Sequence, residues 1–204
     1  MIYTLMLDSN KFLGPVIDDK QVASIVGEAS NENITQRIDM YHGPATHKGV
    51  FREPLRVSYP VFNKADKKKS IPDIGVFQGR LFLGTTAYGI LKPLIENDGE
   101  FLPAVYEQGD GYIFTPLRVV DEVGGLDTEI SKKNDWGDVI HLAFHEDRVA
   151  GWKVFRTEYN AYTSLYCQQE VKDAIEKAQL TGLYFSPDLA NTFPEEQSSV
   201  TKLN

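Results

Sequence analysis

Residues 79–120 have the sequence GRLFLGTTAYGILKPLIENDGEFLPAVYEQGDGYIFTPLRVV, in which the spacing of apolar residues changes from that of a strand to that of a helix and back. Residues 79–84 are a short apolar run bounded by glycines, which predicts a strand. Residues 87–97 place their apolar side chains on one helical face, and Thr85 or Thr86 can cap the start of that helix. This region therefore begins with a strand followed by a helix.

The same stretch also predicts a helix irregularity and a β-hairpin. Pro93 lies inside the predicted helix, where it removes a backbone hydrogen bond, so we expect a kink or two short helices. Residues 101–107 and 112–120 are two strand candidates, and the intervening Gln108-Gly109-Asp110-Gly111 is rich in turn-forming residues. A hairpin therefore follows the helix.

A second unit of the same order occurs near the end of the chain. Residues 161–166 predict a strand, residues 168–179 an amphipathic helix, and residues 183–185 another strand. The sequence thus predicts an α+β fold with mixed or antiparallel sheet hairpins, two strand-helix-strand units and few helices.

The rest of the chain adds shorter elements. Residues 2–7 predict an opening strand, residues 18–28 a short helix capped by Asp18 or Asp19, and residues 50–59 an extended segment. The apolar alternation of residues 139–145, with Ile140, Leu142 and Phe144 facing the core, predicts a strand that pairs with 151–157.

The loop at 64–73 is the predicted boundary between two portions of one core. Residues 1–64 would form an N-terminal α+β portion, residues 74–193 the main α+β domain, and residues 194–204 a polar tail. The Lys67-Lys68-Lys69 run lies in this boundary loop and is typical of a solvated surface.

The composition excludes several classes of protein. The chain has 204 residues, 42% hydrophobic and 25% charged, which are globular values and exclude a disordered, collagen-like or coiled-coil chain. A net charge of -8 argues against a nucleic-acid binder. A single cysteine excludes an internal disulfide and multi-cysteine zinc sites. With neither a signal-peptide pattern nor a membrane-spanning run, we expect a cytoplasmic protein.

The negative charge is concentrated in the second half of the chain. Residues 1–102 contain 12 acidic and 12 basic side chains, whereas residues 103–204 contain 17 acidic and 9 basic ones. Two interpretations stay open: a solubilising surface, or a patch that attracts a basic partner. For the second, the candidate binding residues are Asp110, Asp121, Glu122, Asp127, Glu129, Asp135, Trp136, Asp138, Glu146 and Asp147.

Catalytic and metal chemistry find little support in the sequence. His141 and His145 are four residues apart, but on a strand they would be separated by about 13 Å and could not share one ion. His42 and His47 have no neighbouring carboxylate cluster, and Cys167, at the predicted start of a helix, has no catalytic motif around it. We therefore predict no catalytic residue, no metal and no cofactor.

Four sequence segments resemble a family of bacterial immunity proteins. They are FLGTTAYGIL (82–91), EFLP (100–103), VFRTE (154–158) and EVKDAIEKAQLTGLYF (170–185), and the likeness extends over about residues 74–190. This family is associated with polymorphic toxins and with contact-dependent or type VI secretion. The resemblance implies a non-enzymatic role: binding a cognate antibacterial toxin domain in the cytoplasm and neutralising it by protein-protein contact.

The acidic composition agrees with that role, because many toxin domains are basic. No contact with nucleic acid or a membrane is expected. Two alternatives stay open. One is a small-ligand-binding protein or enzyme with a pocket between the two strand-helix units, lined by His141, His145 and Cys167. The other is a self-associating protein such as a homodimer.

Overall fold

The structure is a computed structural model and describes residues 1–26 and 43–190. In that part of the chain, three α-helices and 12 strands form an α+β fold, which confirms the predicted class and its few helices. The helices are α1 (Asp19–Val26), α2 (Thr85–Ile95) and α3 (Gln169–Lys177). The strands are β1 (Ile2–Leu7), β2 (Val16–Ile17), β3 (Leu55–Ser58), β4 (Ile74–Phe77), β5 (Arg80–Gly84), β6 (Gly99–Tyr106), β7 (Gly109–Pro116), β8 (Lys132–Lys133), β9 (Val139–His141), β10 (Val154–Phe155), β11 (Leu165–Gln168) and β12 (Leu183–Ser186).

The strands form two larger sheets and one small one. The six-stranded sheet has the order β2-β3-β6-β7-β5-β4, with β3 parallel to β6 and its other pairs antiparallel. The four-stranded sheet has the order β10-β11-β1-β12 and is antiparallel. Strands β8 and β9 form the small sheet. Residues 1–64 supply β1 to one larger sheet and β2 and β3 to the other.

Both predicted strand-helix-strand units are present and share one arrangement. In the first unit, β5 and β6 lie on either side of β7, which is antiparallel to both. In the second unit, β11 and β12 lie on either side of β1 in the same way. The two strands of each unit are therefore parallel and separated by a strand that is not part of the unit: the next strand, β7, in the first unit and the distant β1 in the second.

The largest core cluster joins the two units. It contains Leu83 of β5, Leu91 of α2, Leu165 of β11 and Ile175 of α3, all at most 2% exposed. Helices α2 and α3 also contact each other. The space between the two units is thus filled by apolar side chains, at the place where the sequence left a pocket open.

Side chains on a strand alternate in direction, so each of the two larger sheets has one face toward the shared core and a second face on the other side. This second face is also covered. On the six-stranded sheet, Phe82 and Ile113 pack with Val22 and Val57 of the N-terminal portion. On the four-stranded sheet, the second face is covered by residues between 120 and 152, and these form the surface described in the next subsection.

The helices differ from prediction in their details. Helix α2 continues through Pro93 as one helix, so the expected division into two pieces is wrong. Gly89, whose carbonyl loses its helical donor, is exposed like Pro93, and water can satisfy that carbonyl. The N-cap of α2 is Gly84, without a side-chain cap, rather than Thr85 or Thr86.

The predicted cap of α1 is confirmed. The Asp18 carboxylate accepts hydrogen bonds from the backbone N–H groups of Lys20 and Gln21. The predicted end of this helix at residues 27–28, His42 and the whole polar tail lie outside the described residues.

The strand predicted over residues 139–145 is partly wrong. It ends at His141 and pairs with β8, whereas β10 in the predicted partner segment pairs with β11. Irregular backbone after His141 shifts the alternation by one residue, so that Leu142 and Phe144 join a core cluster while Ile140 is 48% exposed.

Candidate protein-binding surface

Residues 125–145 form an irregular hairpin, which we call the hairpin arm. Its base is held by hydrogen bonds from the Asp127 N–H to the Ala143 carbonyl (3.0 Å) and from the His145 N–H to the Gly125 carbonyl (2.8 Å). Ser131 is buried and bonds to both the N–H and the carbonyl of Ala143. Strands β8 and β9 continue the arm toward its tip, at residues 134–138.

The tip is a tightly hydrogen-bonded turn that presents a tryptophan to solvent. The Asn134 side-chain oxygen accepts from the N–H groups of Trp136 (3.0 Å) and Asp138 (2.8 Å), and its amide nitrogen donates to the Asp138 carboxylate. Gly137 has a φ of 89°, a conformation that favours glycine. Trp136 is 89% exposed, more than any other large apolar side chain among the described residues.

The base of the arm packs on the protein, and the half-buried Val139 near its end packs there too. Leu126, Leu142 and Phe144 of the arm belong to the core cluster that includes Phe155 and Tyr166 of the four-stranded sheet. Within the described chain, β8 and β9 pair with each other and with no other strand. The arm is therefore held to the protein at its base and at Val139, and the exposed residues 135–138 form its solvent-facing tip.

Further apolar side chains are exposed on the same arm. Ile130 is 56% exposed and Ile140 is 48% exposed. Sequence reasoning missed both, assigning Ile140 to the core. The turn chemistry of residues 134–138 between β-forming residues was the signal that could have located this hairpin.

Two of the predicted binding acids accept hydrogen bonds from backbone N–H groups. The Asp121 carboxylate accepts hydrogen bonds from the Thr157 hydroxyl (2.9 Å) and the Glu158 N–H (2.7 Å). The Asp127 carboxylate accepts from the N–H groups of Glu129 and Ile130, both at 3.0 Å. These two carboxylates therefore organise the backbone.

The remaining predicted residues divide by position. Exposed carboxylates are found at Glu122, Glu129, Asp135, Asp138, Glu146 and Asp147, which with Trp136 lie on or beside the arm. Glu146 is 3.2 Å from the Met1 amino nitrogen. Asp110 lies at the opposite end of β7 from Pro116, about 20 Å away along the strand. The structure thus places most of the candidates along the arm, from its base to its tip, and places Asp110 apart from them at the far end of β7.

A cleft of about 360 Å³ lies beside the tip and was not anticipated from the sequence. It is lined by Gly137 and Asp138 of the tip and by Tyr159 and Asn160 of a facing 3-10 helix (Glu158–Asn160). The Lys133 ammonium lies 4.6 Å from the centre of the Tyr159 ring, which ties the arm to this wall.

The residues considered for chemistry are dispersed. His141 and His145 are exposed, and Cys167 is fully buried in β11, not at a helix start as predicted. Burial raises the pKa of the Cys167 thiol, which disfavours the reactive thiolate. In residues 1–26 and 43–190, no group of three or more His, Cys, Asp or Glu side chains is arranged to hold a metal ion.

A second exposed surface has the opposite charge. Phe62, 78% exposed, lies near Lys64, Lys67 and Lys68 in the loop that was predicted to be solvated. The buried Asp66 carboxylate orders this loop by accepting from the Phe62 N–H and pairing with Lys69. The chain therefore exposes one aromatic side chain among lysines and another among carboxylates.

Two arginines are part of the interior. Arg80 and Arg156 are at most 1% exposed, and the Arg80 guanidinium donates to the Thr115 hydroxyl and the Gly43 carbonyl. Burial lowers the pKa of Arg80 to about 10, and burial together with repulsion from Arg80 lowers that of Arg156 to about 9. At this burial, neither guanidinium is accessible to a partner protein.

In the described residues, no helix has both the length and the apolar character needed to cross a membrane.

Comparison with known proteins assigns no family to this chain. No protein-family model matches the sequence, and no curated protein matches it significantly.

Proposed function

We propose that this protein is a cytoplasmic immunity protein that binds a cognate antibacterial toxin domain and neutralises it by protein-protein contact. The observation that carries the proposal is the exposure of Trp136 on an ordered turn among carboxylates. Tryptophan is strongly enriched among the residues that dominate binding energy at protein interfaces. Exposing it to water is unfavourable in the free protein, so a binding role explains its position better than a folding role does.

The charges around the arm support a basic partner. Glu122, Glu129 and Asp135 are exposed carboxylates on or beside the arm, within the acidic half of the sequence. Complementary charge accelerates association and disfavours wrong partners, and its effect falls as salt rises. An acidic face suits a protein that inhibits a basic toxin.

The test begins with the reading frame next to the one encoding this chain, where the proposal expects a secreted protein with a toxic C-terminal domain. Co-expression of that domain should stop growth, and co-expression with this chain should restore growth and yield a co-purifying complex. Absence of both rescue and complex would refute the proposed function.

The contribution of charge to toxin binding can be tested against a matched control variant. We expect the triple variant E122K/E129K/D135K to weaken binding by at least about tenfold and to reduce its dependence on salt. The variant E53K/E96K/D173K makes the same change in net charge at exposed positions elsewhere and should bind like the wild type. Equal effects of the two variants would show that only net charge matters.

The cleft beside the tip favours a second candidate, a small-ligand-binding protein. Its volume of about 360 Å³ lies within the range of ligand pockets, roughly 300–1,000 Å³. In that case a small molecule, and not a protein, should raise the unfolding temperature, and Asn160→Ala should abolish the rise. A complex with the adjacent toxin domain that forms regardless of Asn160→Ala favours the first candidate.

A further inference from the structure

We infer that the tip of the hairpin arm is inserted into a concave, basic site of the partner, with Trp136 as its anchor. This inference rests on the proposed function and adds the mode of inhibition: the arm occupies a cleft rather than covering a flat surface. The partner chemistry is an apolar pocket for the indole, rimmed by Lys or Arg side chains.

The first argument for insertion is the narrow shape of the arm. Its end is only two strands wide, about 5 Å between strand axes, and these strands pair only with each other within the described residues. Residues 135–138 at the turn are all exposed. A narrow turn with a large, exposed apolar side chain at its apex buries that side chain fully only inside a recess of the partner.

The second argument for insertion is the rigidity of the tip. The Asn134 side chain and the Asn134–Asp138 backbone bond (2.9 Å) hold the turn in place in the free protein. A preordered turn loses little conformational freedom on binding, and tryptophan has only two side-chain torsions to fix. The free structure therefore already has the conformation needed for insertion.

The charges next to Trp136 identify the rim of the recess. Asp135 precedes the indole and Asp138 follows it two residues later, and both carboxylates are exposed. Charged groups concentrate at the rim of interfaces while aromatic groups fill their centre. At physiological salt these carboxylates act over about 8 Å, so the complementary cations must lie beside the pocket itself.

The cleft beside the tip offers a second contact site for the partner. Gly137 and Asp138 form one wall and Tyr159 and Asn160 the opposite wall. A partner whose recess surrounds the tip must place its own edge at this position, and the cleft of about 360 Å³ receives that edge. An exposed indole next to a cleft gives both binding energy and a defined orientation.

The first experiment measures the affinity of variants for the toxin domain encoded next to this chain. Trp136→Ala should weaken binding by about 30-fold or more, as expected of an interface anchor. Phe62→Ala is the matched control, because it also truncates an exposed aromatic side chain, and it should change affinity less than about threefold. Both variants should unfold at the wild-type temperature, which separates binding from folding.

The second experiment tests insertion directly. With 5-fluorotryptophan in place of its two tryptophans, the protein should give two 19F resonances, assigned with Trp136→Phe. The unlabelled toxin domain should shift the Trp136 resonance and leave that of the half-buried Trp152 unchanged. Heparin, a polyanion that would fill a basic cleft, should compete with the wild-type protein for the domain.

The possible failures are distinguishable. If the wild-type protein does not bind the toxin domain, the proposed function is refuted and this inference falls with it. If the wild type binds but Trp136→Ala does so equally well, or Phe62→Ala alone weakens binding, the function stands and the insertion is refuted. Tight binding that heparin leaves unchanged overturns the basic cleft.

Discussion

Replacing Asp98 tests how the two halves of the fold are held together. Asp98 follows α2 and is 3% exposed. Its carboxylate accepts hydrogen bonds from the backbone N–H groups of Lys153 (2.7 Å) and Val154 (3.1 Å), at the start of β10. The Arg118 guanidinium lies 3.7 Å away. One side chain thus connects the first strand-helix-strand unit to the four-stranded sheet.

The expected cost of Asp98→Ala follows from these contacts. A hydrogen bond to a charged group contributes about 1.5–3 kcal/mol, and the substitution removes two of them from a buried place. We expect a loss of about 3–5 kcal/mol in the free energy of unfolding. For a chain of this length that lowers the unfolding temperature by about 8–15 °C.

The measurement is urea unfolding followed by circular dichroism, with thermal unfolding as a second readout. Asp173→Ala on α3 is the control, because Asp173 is exposed, and it should stay within about 0.5 kcal/mol of the wild type. A loss below about 1 kcal/mol for Asp98→Ala would refute the argument that this carboxylate joins the two halves.

The pH dependence adds an independent check. Burial raises the pKa of Asp98, although the N–H groups of Lys153 and Val154 act to lower it. A carboxyl group with a raised pKa in the folded state contributes most stability when protonated, and loses it as pH rises through that pKa. The cost of Asp98→Asn should therefore shrink between about pH 3 and about pH 7. A cost that grows over this range would contradict the assignment.

Three further outcomes are expected. Burial acts to raise the pKa of Glu100, but hydrogen bonds from His47 and Thr46 outweigh it and lower that pKa. Glu100→Gln should therefore cost about 1–2 kcal/mol at neutral pH, and urea unfolding across pH should show this cost disappear only as pH falls below about 4 through the lowered pKa. Gly182 has a φ of 117°, and an added Cβ would lie 2.0 Å from the Ile74 carbonyl oxygen, so Gly182→Ala should cost about 3 kcal/mol or more in thermal unfolding; a smaller loss than about 1 kcal/mol would contradict the close approach. In the fully buried site of Cys167, Cys167→Val should cost less than about 1.5 kcal/mol and Cys167→Ser about 1–3 kcal/mol, and rapid thiol labelling of the native wild type would contradict this burial.

Local patterns predicted the strand-helix-strand units because their physical cause is local. In residues 79–120 the apolar period, the glycines and the turn residues all indicate the same elements, and β5, α2, β6 and β7 form there. The cap of α1 by Asp18 is another local effect, since it involves N–H groups two and three residues away. Where spacing and capping act within a few residues, the sequence alone is enough to predict the helix or strand.

Pairing partners could not be predicted in the same way. The alternation at residues 139–145 indicated a strand but carried no information about its neighbour, and β8 rather than residues 151–157 pairs with it. The exposed Ile140 shows the consequence, because one irregular residue reverses which side chains face the core. Register depends on contacts between distant segments, which no local pattern contains.

For the candidate binding surface, too, some properties depend on the sequence alone and others on the tertiary structure. The sequence by itself determined the residue types: the excess of acids after residue 102, a tryptophan among them, and the α+β alternation. Only the tertiary structure decided their roles, because Asp121 and Asp127 are hydrogen-bonded to backbone N–H groups, Asp110 lies at the far end of β7, and the Asn134 turn holds Trp136 in solvent. Charge is a property of each side chain, whereas exposure depends on which other parts of the chain cover it.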